Sequence, residues 1–268
     1  MPKVAMTPMP AHARVALTRQ VSSAMERCEL THLPRCSIDI ALARSQHEAY
    51  EEALRGLGCR VQRLAEEPEL ADSVFVEDTA LVLDELAVIT RPGAESRRPE
   101  TATIAGALGA FQPLARIEAP GTLDGGDVLC VDRKLYVGVS SRSNRAGIEQ
   151  LRLLLTPLGY AVEPVQVRGC LHLKSAVTRV GPTTLLINPR WVDRRHFAGA
   201  DVVEVDEAEP LAANAVLIEQ SVIYSTSNAA TAERLRSHGI NLRTVEMSEV
   251  EKAEGAVTCC SVIFSVTA

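Results

Sequence analysis

The chain has 268 residues, 46% of them hydrophobic and 23% charged, a composition typical of a globular protein with a sizeable core. A formal net charge of −6 without a long basic run argues against binding to nucleic acid or to an anionic membrane, and no apolar stretch approaches the roughly 18–20 residues of a membrane span. Seven cysteines without a CxxC pair, and an opening stretch without an apolar signal core, favour a reducing, cytoplasmic setting over a disulfide scaffold or a structural zinc site.

The first predicted elements are a strand and a long helix. The strand is "RVALTR" (14–19), the helix covers roughly 38–56, and a second strand, "CRVQRL" (59–64), follows it. At the other end of the chain, "TCCSVIFSV" (258–266) is also predicted to be a strand. These strands have no hairpin partner close by in the sequence, so we expect the first and last strands to pair with each other.

Between them, one pattern repeats four times. Each repeat opens with a β-hairpin, which alternating apolar residues, branched side chains and turn residues indicate. The predicted hairpins are 80–90, 127–139, 176–187 and 214–224. A helix is predicted after each hairpin, at about 97–109, 143–158, 189–198 and 228–238. Short strands such as 161–167 and 241–247 then complete the unit.

The helix boundaries carry recognisable signals. Ser143-Asn144 and Ser227-Asn228 are suitable caps for two of the helices, and Gly159 and Gly239 are suitable stops. The hairpins begin near residues 80, 127, 176 and 214 and the last strand near 258, an interval of about 38–49 residues. The sequence therefore predicts one α/β domain over 1–268, built from five ββαβ modules around a centre.

The segments that precede the hairpins contain the polar residues of interest. These entrances read "DSVFVEDT", "GTLDGGDV", "GCLHLKSA", "PLAANAV" and "EGAVTCC". In a closed ring of similar modules, equivalent positions converge on the axis. Four entrances would bring together the following candidate residues: Asp72, Glu77, Asp78, Asp124, His172 and Cys259. A thiol, an imidazole and several carboxylates around one cavity are the groups of a nucleophilic site.

Each of these residues also has an ordinary structural interpretation. A cysteine on an apolar strand usually packs in the core, His172 lies between two leucines, and Asp124-Gly-Gly is a common turn sequence. Cys259 and Cys260 would point to opposite faces of a strand, so only one of them can serve a site.

Five segments together decide between these interpretations: "DSVFVEDTALVL…AVITRPGAESRRPE", "GTLDGGDVL", "LHLKSAVT", "AANAV" and "GAVTCCSV". They resemble the signature segments of the dimethylarginine dimethylaminohydrolases, and the resemblance extends over nearly the whole chain. It implies the five-bladed α/β-propeller (pentein) fold. It also implies hydrolysis of Nω-methylated arginine to citrulline and methylamine or dimethylamine through a covalent thiouronium intermediate on a cysteine.

The resemblance also assigns roles. Cys259 would be the nucleophile and Cys260 a packing residue; His172 would protonate the leaving amine and then activate water, and Asp124 would orient His172. Asp72, Glu77 and Asp78 would hold the guanidinium and α-amino cations, and Arg97 and Arg142 the α-carboxylate. Leu30, in the segment "CELTHLPRCSID" that takes the place of the family's lid, and Ala253 would contribute backbone carbonyls. The family often has aspartate in place of Glu254.

Three other functions stay open at this point. An arginine deiminase of the same fold would share the site but is typically longer, with an inserted helical bundle for which this chain has no room. A non-catalytic propeller that acts as a binding module would lack the Cys, His and Asp set. A zinc protein that used Cys259 and His172 would have only two soft ligands, although inhibition by adventitious zinc remains open. We expect no cofactor, no resident metal, a small-molecule substrate as the partner, and a monomer or homodimer.

Overall fold

A computed structural model describes residues 12–267, in which short strands and helices alternate. The strands are β1 (His12–Arg19), β2 (Cys59–Leu64), β3 (Ala80–Val82), β4 (Ala87–Ile89), β5 (Leu114–Arg116), β6 (Val128–Val131), β7 (Lys134–Val139), β8 (Ala161–Gln166), β9 (Val177–Arg179), β10 (Thr184–Ile187), β11 (Asp201–Glu204), β12 (Val216–Ile218), β13 (Ser221–Ser225), β14 (Asn241–Val245) and β15 (Val262–Thr267). The α-helices are α1 (Ile40–Gly56), α2 (Thr101–Leu108), α3 (Arg145–Leu155), α4 (Leu173–Ala176), α5 (Ala229–Ser237) and α6 (Ser248–Glu251). None of the helices within residues 12–267 combines the length and the apolar character needed to cross a membrane.

The strands form five three-stranded sheets of one design. Their orders are β3-β4-β5, β6-β7-β8, β9-β10-β11, β12-β13-β14 and β15-β1-β2. In every sheet the first two strands pair antiparallel and the middle strand pairs parallel with the third. This confirms the predicted five ββαβ modules, and the chain has the five-bladed α/β-propeller fold.

The fifth sheet joins the two ends of the chain. β1 pairs antiparallel with β15, from His12 opposite Thr267 to Leu17 opposite Val262, and it pairs parallel with β2 on its other side. Phe264 of β15 packs edge-on against Phe111, with 5.2 Å between the ring centroids. The ring is therefore closed by strand pairing between the termini, as the sequence predicts.

The predicted signals at Asn144, Gly159 and Gly239 are confirmed, and Asp39 provides a further cap that the sequence analysis did not identify. Asp39 caps α1 by accepting from the Leu42 N–H (3.0 Å), and Asn144 caps α3 by accepting from the Gly147 N–H (2.8 Å). Gly159 takes a left-handed φ of +83° where the helical segment ends. Asn228 precedes α5 but makes no side-chain cap bond, so that part of the prediction is wrong.

Two predicted elements differ from the structure. Residues 189–198 form a loop with one 3₁₀ turn, Arg194–Phe197, because the side chains of Asn188 and Asp193 accept from nearby backbone N–H groups and stabilise turns. Trp191 accordingly lies in a loop. The last strand begins at Val262, and Cys259 and Cys260 lie in the turn 257–260 before it. Their different environments therefore do not follow from strand alternation.

Candidate active site

Four short turns bring the candidate residues to one end of the ring. Each turn lies just before the first strand of its module: the 3₁₀ turn Val76–Thr79 before β3, the 3₁₀ turn Gly125–Asp127 before β6, helix α4 before β9, and the turn 257–260 before β15. Side chains that precede equivalent strands meet at the axis.

Most of the predicted residues surround one narrow cavity of about 20 Å³. Its lining includes seven of them: Asp72, Asp78, Arg97, Arg142, His172, Ala253 and Cys259. A larger and mostly apolar chamber of about 420 Å³ also has His172 and Cys259 in its lining. The imidazole and the thiol therefore line both cavities, so one bound molecule could contact both groups.

His172 and Asp124 form a buried pair. His172 Nε2 lies 3.0 Å from Asp124 Oδ2, and Asp124 Oδ1 accepts from the Gly93 N–H at 2.8 Å. Burial opposes the charged imidazole, but the carboxylates of Asp78, Asp124 and Asp127 outweigh it and raise the pKa of His172 to about 9. The ring is therefore held in one orientation and carries a proton at neutral pH.

The glycines of "LDGGD" make room for this pair. A Cβ on Gly126 would lie 2.7 Å from Asp78 Oδ1 and 2.9 Å from His172 Nδ1, and a Cβ on Gly125 would lie 2.0 Å from the Glu77 carbonyl oxygen. All three distances are below those of real Cβ contacts. The second turn thus approaches both the first turn and His172 closely because Gly125 and Gly126 have no side chain.

The two cysteines differ sharply in environment. Cys259 is half-buried and lines the cavity, whereas Cys260 is fully buried in the hydrophobic core. Burial, together with the charges of Glu77 and Asp78, raises the pKa of the Cys259 thiol to about 12. Without a bound cation the nucleophile candidate is therefore a neutral thiol at pH 7.

Asp78 and Arg97 form a second buried pair. Arg97 Nη1 lies 2.6 Å from Asp78 Oδ2, and its Nη2 donates to Glu100 and to the Phe75 carbonyl. Burial favours the neutral acid, but the charges of His172 and Arg97 outweigh it and lower the pKa of Asp78 to about 2. Asp78 is therefore an ionised carboxylate at the cavity, and the Arg97 guanidinium is largely saturated by protein acceptors.

Glu77 faces away from this cavity. Its Oε1 accepts from Lys174 Nζ at 2.6 Å and its Oε2 from the Thr258 hydroxyl at 2.7 Å. It lines a separate cavity of about 320 Å³ together with both partners. The structure therefore places Glu77 beside the turn of Cys259, and its assignment to the substrate cations stays a prediction.

The lid segment lines the cavity through Glu29 and is held by hydrogen bonds to several other elements. The Glu29 N–H donates to Asp72 Oδ2 (3.1 Å), and Arg142 Nη2 donates to the Thr31 hydroxyl (3.3 Å). The Glu254 carboxylate accepts from three successive backbone N–H groups of the lid, those of Thr31, His32 and Leu33. Leu30 packs on the core cluster beside them, whereas its neighbour Glu29 lines the cavity.

Two polar residues at the site were missed by the sequence reasoning. Glu254 was left without a role because the family often has a shorter aspartate there. Asn214 lies in the fourth entrance, "AANAV", from which no candidate was taken. Its position equivalent to the other entrances was the signal that could have identified it.

One group of donor atoms has a spacing that suits a metal ion. Among the described residues, one oxygen each of Asp78 and Asp124 and a ring nitrogen of His172 lie within 4.8 Å of one another. These carboxylates already neutralise the charges of Arg97 and His172. The negative charges of this group are therefore already balanced by neighbouring cations. The absence of a resident metal stays a prediction.

Comparison with known proteins gives consistent relatives. The family described as "N,N dimethylarginine dimethylhydrolase, eukaryotic" matches residues 35–265. The N(G),N(G)-dimethylarginine dimethylaminohydrolase of Streptomyces coelicolor is 39% identical over 261 residues, which cover 93% of this chain and 96% of the relative. The enzyme of the same name from Pseudomonas aeruginosa is 36% identical over 228 residues, covering 84% and 90%.

Solved structures agree. DDAH from Pseudomonas aeruginosa, as a cysteine-to-serine mutant complexed with citrulline, superimposes with a TM-score of 0.89 and 33% identity over 93% of this chain and 98% of that one. The N-terminal domain of ArgZ, a cyanobacterial arginine dihydrolase, has a TM-score of 0.83 at 18% identity, covering 94% and 97%. At that identity the second likeness reflects the shared fold alone.

Proposed function

The chain belongs to the dimethylarginine dimethylaminohydrolase family, and from that premise we propose that Cys259, His172 and Asp124 carry out its reaction. The protein hydrolyses Nω-methylated arginine to citrulline and releases methylamine or dimethylamine. The observation that carries the assignment is the placement of the Cys259 thiol and the His172–Asp124 pair around the one cavity that Asp78 also lines.

The first step requires a thiolate. Since Glu77 and Asp78 raise the pKa of Cys259, a guanidinium bound beside Asp78 would offset their charge and lower that pKa. The thiol proton passes to solvent, Sγ attacks the guanidinium carbon, and the C–S bond forms as the π electrons of a C=N bond move onto nitrogen. Substrate binding and activation of the nucleophile are thereby linked, and the empty enzyme keeps an unreactive thiol.

The second step requires an acid. The His172 imidazolium gives its proton to the methylated nitrogen, so that the amine departs with the electrons of the C–N bond and leaves a thiouronium adduct on Cys259. The neutral imidazole then removes a proton from water, which attacks the same carbon and releases citrulline and the thiol. The bond between Asp124 and Nε2 orients the imidazole for these transfers.

The remaining residues hold the two ends of the substrate. We assign Asp78 to the guanidinium, Asp72 and the Leu30 carbonyl to the α-amino group, and Arg142 to the α-carboxylate, with the Ala253 carbonyl beside the reacting end. Arg97 shares the carboxylate only if its bonds to Asp78 and Glu100 loosen on binding. Glu77 acts on the nucleophile turn.

We further propose that residues 1–268 form one catalytic domain in the cytoplasm, as a monomer or homodimer. The seven cysteines are all free within the described part of the chain, which suits a reducing compartment. Arginine deiminase activity is the competing function because the same groups attack unmethylated arginine.

Incubation of the purified protein with asymmetric dimethylarginine, monomethylarginine and arginine in parallel tests the proposal. We expect citrulline from both methylated substrates and little from arginine. Citrulline from arginine at an equal or greater rate would instead assign the chain to the deiminases. An adduct mass on the Cys259 peptide, trapped by rapid acid quench, would identify the nucleophile.

A further inference from the structure

We propose that Asn214 and Thr258, with Glu77 and Lys174, are positioning residues that hold the Cys259 thiol at the reacting carbon; this rests on the function proposed above. Asn214 belongs to the fourth module, which contributes none of the assigned catalytic or substrate-binding residues. The proposal therefore gives that module a part in the reaction.

Asn214 binds the residue before the nucleophile at two points. Its Oδ1 accepts from the Thr258 N–H at 3.0 Å, and its Nδ2 donates to the Thr258 hydroxyl at 2.9 Å. Nδ2 also lies 3.3 Å from the Lys174 carbonyl oxygen. Asn214 and Thr258 are both at least nine-tenths buried, so these bonds do not compete with water. One amide side chain thus fixes both the backbone and the side chain of Thr258.

The Thr258 hydroxyl connects Asn214 to residues of the other modules. It donates to Glu77 Oε2 at 2.7 Å, and Glu77 Oε1 accepts from Lys174 Nζ at 2.6 Å. The Glu77 N–H in turn donates to the Cys259 carbonyl at 3.1 Å. The turn is therefore held from the first, third and fourth modules at once, although Thr258 and Glu77 are 181 residues apart.

The consequence for the thiol is both geometric and electrostatic. Thr258 Oγ1 lies 3.9 Å from Cys259 Sγ, so the hydroxyl is the polar group of this network that contacts the sulfur. Because Cys259 is in a turn and not in a strand, no sheet hydrogen bonds fix its backbone. A nucleophile displaced by about 1 Å can lose 100-fold in rate, so fixing this turn matters to the reaction.

The test compares Thr258→Val, Thr258→Ser, Asn214→Ala and Asn214→Asp. We measure kcat and KM with asymmetric dimethylarginine, the pH dependence of iodoacetamide alkylation at Cys259 by mass spectrometry, and Tm. Thr258→Val should lower kcat by about 100-fold with little change in KM and move the alkylation midpoint to higher pH. Thr258→Ser keeps the hydroxyl and should restore both. Asn214→Asp adds a carboxylate beside Glu77 and should also raise the alkylation midpoint.

Asn188 provides a matched control. It is a buried asparagine of the third module whose Nδ2 donates to the Pro210 carbonyl and whose Oδ1 accepts from the Arg190 N–H. Asn188→Ala should lower Tm without moving kcat or the alkylation midpoint. If Thr258→Val and Asn214→Ala both kept the parental kcat and alkylation profile, whatever their Tm, the proposal would be overturned. If Asn214→Ala does not fold, the comparison of Thr258→Val with Thr258→Ser decides. The alkylation profile is measured without substrate. If the parent produced no citrulline, the proposed function would fail, while the alkylation profile would still test the positioning of Cys259.

Discussion

Carboxylates act on Cys259 and His172 in the same direction. Together with burial they raise the pKa of the Cys259 thiol to about 12, and against burial they raise that of the His172 imidazole to about 9, so a neutral thiol and an imidazolium coexist at pH 7 when the site is empty. We therefore expect the thiol to need the positive charge of the substrate for its activation, which would restrict attack to cations that reach Asp78.

The paired cysteines give the first prediction. Cys259→Ser should abolish citrulline formation because a serine hydroxyl gives no comparably accessible anion, whereas Cys260→Ser should keep most activity and lose some stability. Cys260 is fully buried in the core, where a hydroxyl finds few partners. Activity assays and thermal unfolding of the two variants check this. An active Cys259→Ser beside a folded but inactive Cys260→Ser would reverse the assignment.

Asp124 gives the second prediction, which concerns pH. Asp124→Asn removes a carboxylate that helps to keep His172 protonated, so the pKa of His172 should fall from about 9 toward its ordinary value of 6.5. The acid form needed for amine departure would then be lost at lower pH. We expect kcat of the variant to decline from below pH 8, while that of the parent holds until about pH 9. Coincident pH profiles would remove Asp124 from this role.

The raised pKa of His172 also makes the stability of the folded protein depend on pH. The pKa of His172 in the folded protein lies above its unfolded value, so the stabilisation from its protonation is present below about pH 6.5 and is lost as the pH rises through about 9. Urea denaturation of the parent at pH 6 and pH 9.5 should show this loss, and Asp124→Asn should show less of it.

At the scale of elements, one acidic side chain accepts three of the hydrogen bonds that hold the lid. Glu254 has a left-handed φ of +56°, and its carboxylate accepts from the Thr31, His32 and Leu33 N–H groups. Bonds from backbone N–H groups to a carboxylate are charge-assisted and therefore strong. A shorter aspartate would lie one methylene further from the lid, which gives a reason for glutamate here.

The third prediction follows from this contact. Glu254→Ala should free the lid and speed hydrogen exchange at the backbone amides of Thr31 to Leu33. Loss of these charge-assisted hydrogen bonds, worth roughly 1.5–3 kcal/mol, should raise KM by about ten- to a hundredfold. Glu254→Gln keeps an acceptor and should be milder. Glu246→Ala, at an exposed glutamate whose carboxylate accepts from the Ser248 hydroxyl, serves as the control. Unchanged hydrogen exchange in the lid of Glu254→Ala would contradict the role of Glu254 in holding the lid.

Elements were easier to predict from the sequence than contacts. Hairpins, the long helix and the stop at Gly159 follow from local signals, and their repetition predicted the ring and the meeting of Asp78, Asp124, His172 and Cys259. The loop at 189–198 was missed because turn bonds from Asn188 and Asp193 override a helical pattern. The partners of Glu77 and Arg97 depend on which charged neighbours the closed ring supplies, and no local pattern encodes that.

At the scale of the molecule, the pairing of β1 with β15 makes the ring nearly continuous. The fourth prediction is that a circular permutant, with residues 268 and 1 joined by a short Gly/Ser linker and new ends at the exposed Pro182–Thr183 turn, folds and keeps most of its kcat. New ends between Ala256 and Val257, beside the nucleophile turn, should fold less well and lose activity. Citrulline assays and thermal unfolding of both permutants check this, and an inactive first permutant would contradict it.

Because the site is assembled from separate modules, it exists only in the folded protein. Asp124 and His172 are 48 residues apart, and the Cys259 turn receives its hydrogen bonds from Glu77, 181 residues before Thr258. A nascent or misfolded chain therefore presents only ordinary cysteines and no guanidinium-binding carboxylate beside them. A guanidinium can therefore meet Asp78 and the Cys259 thiol side by side only after the first and last strands have paired.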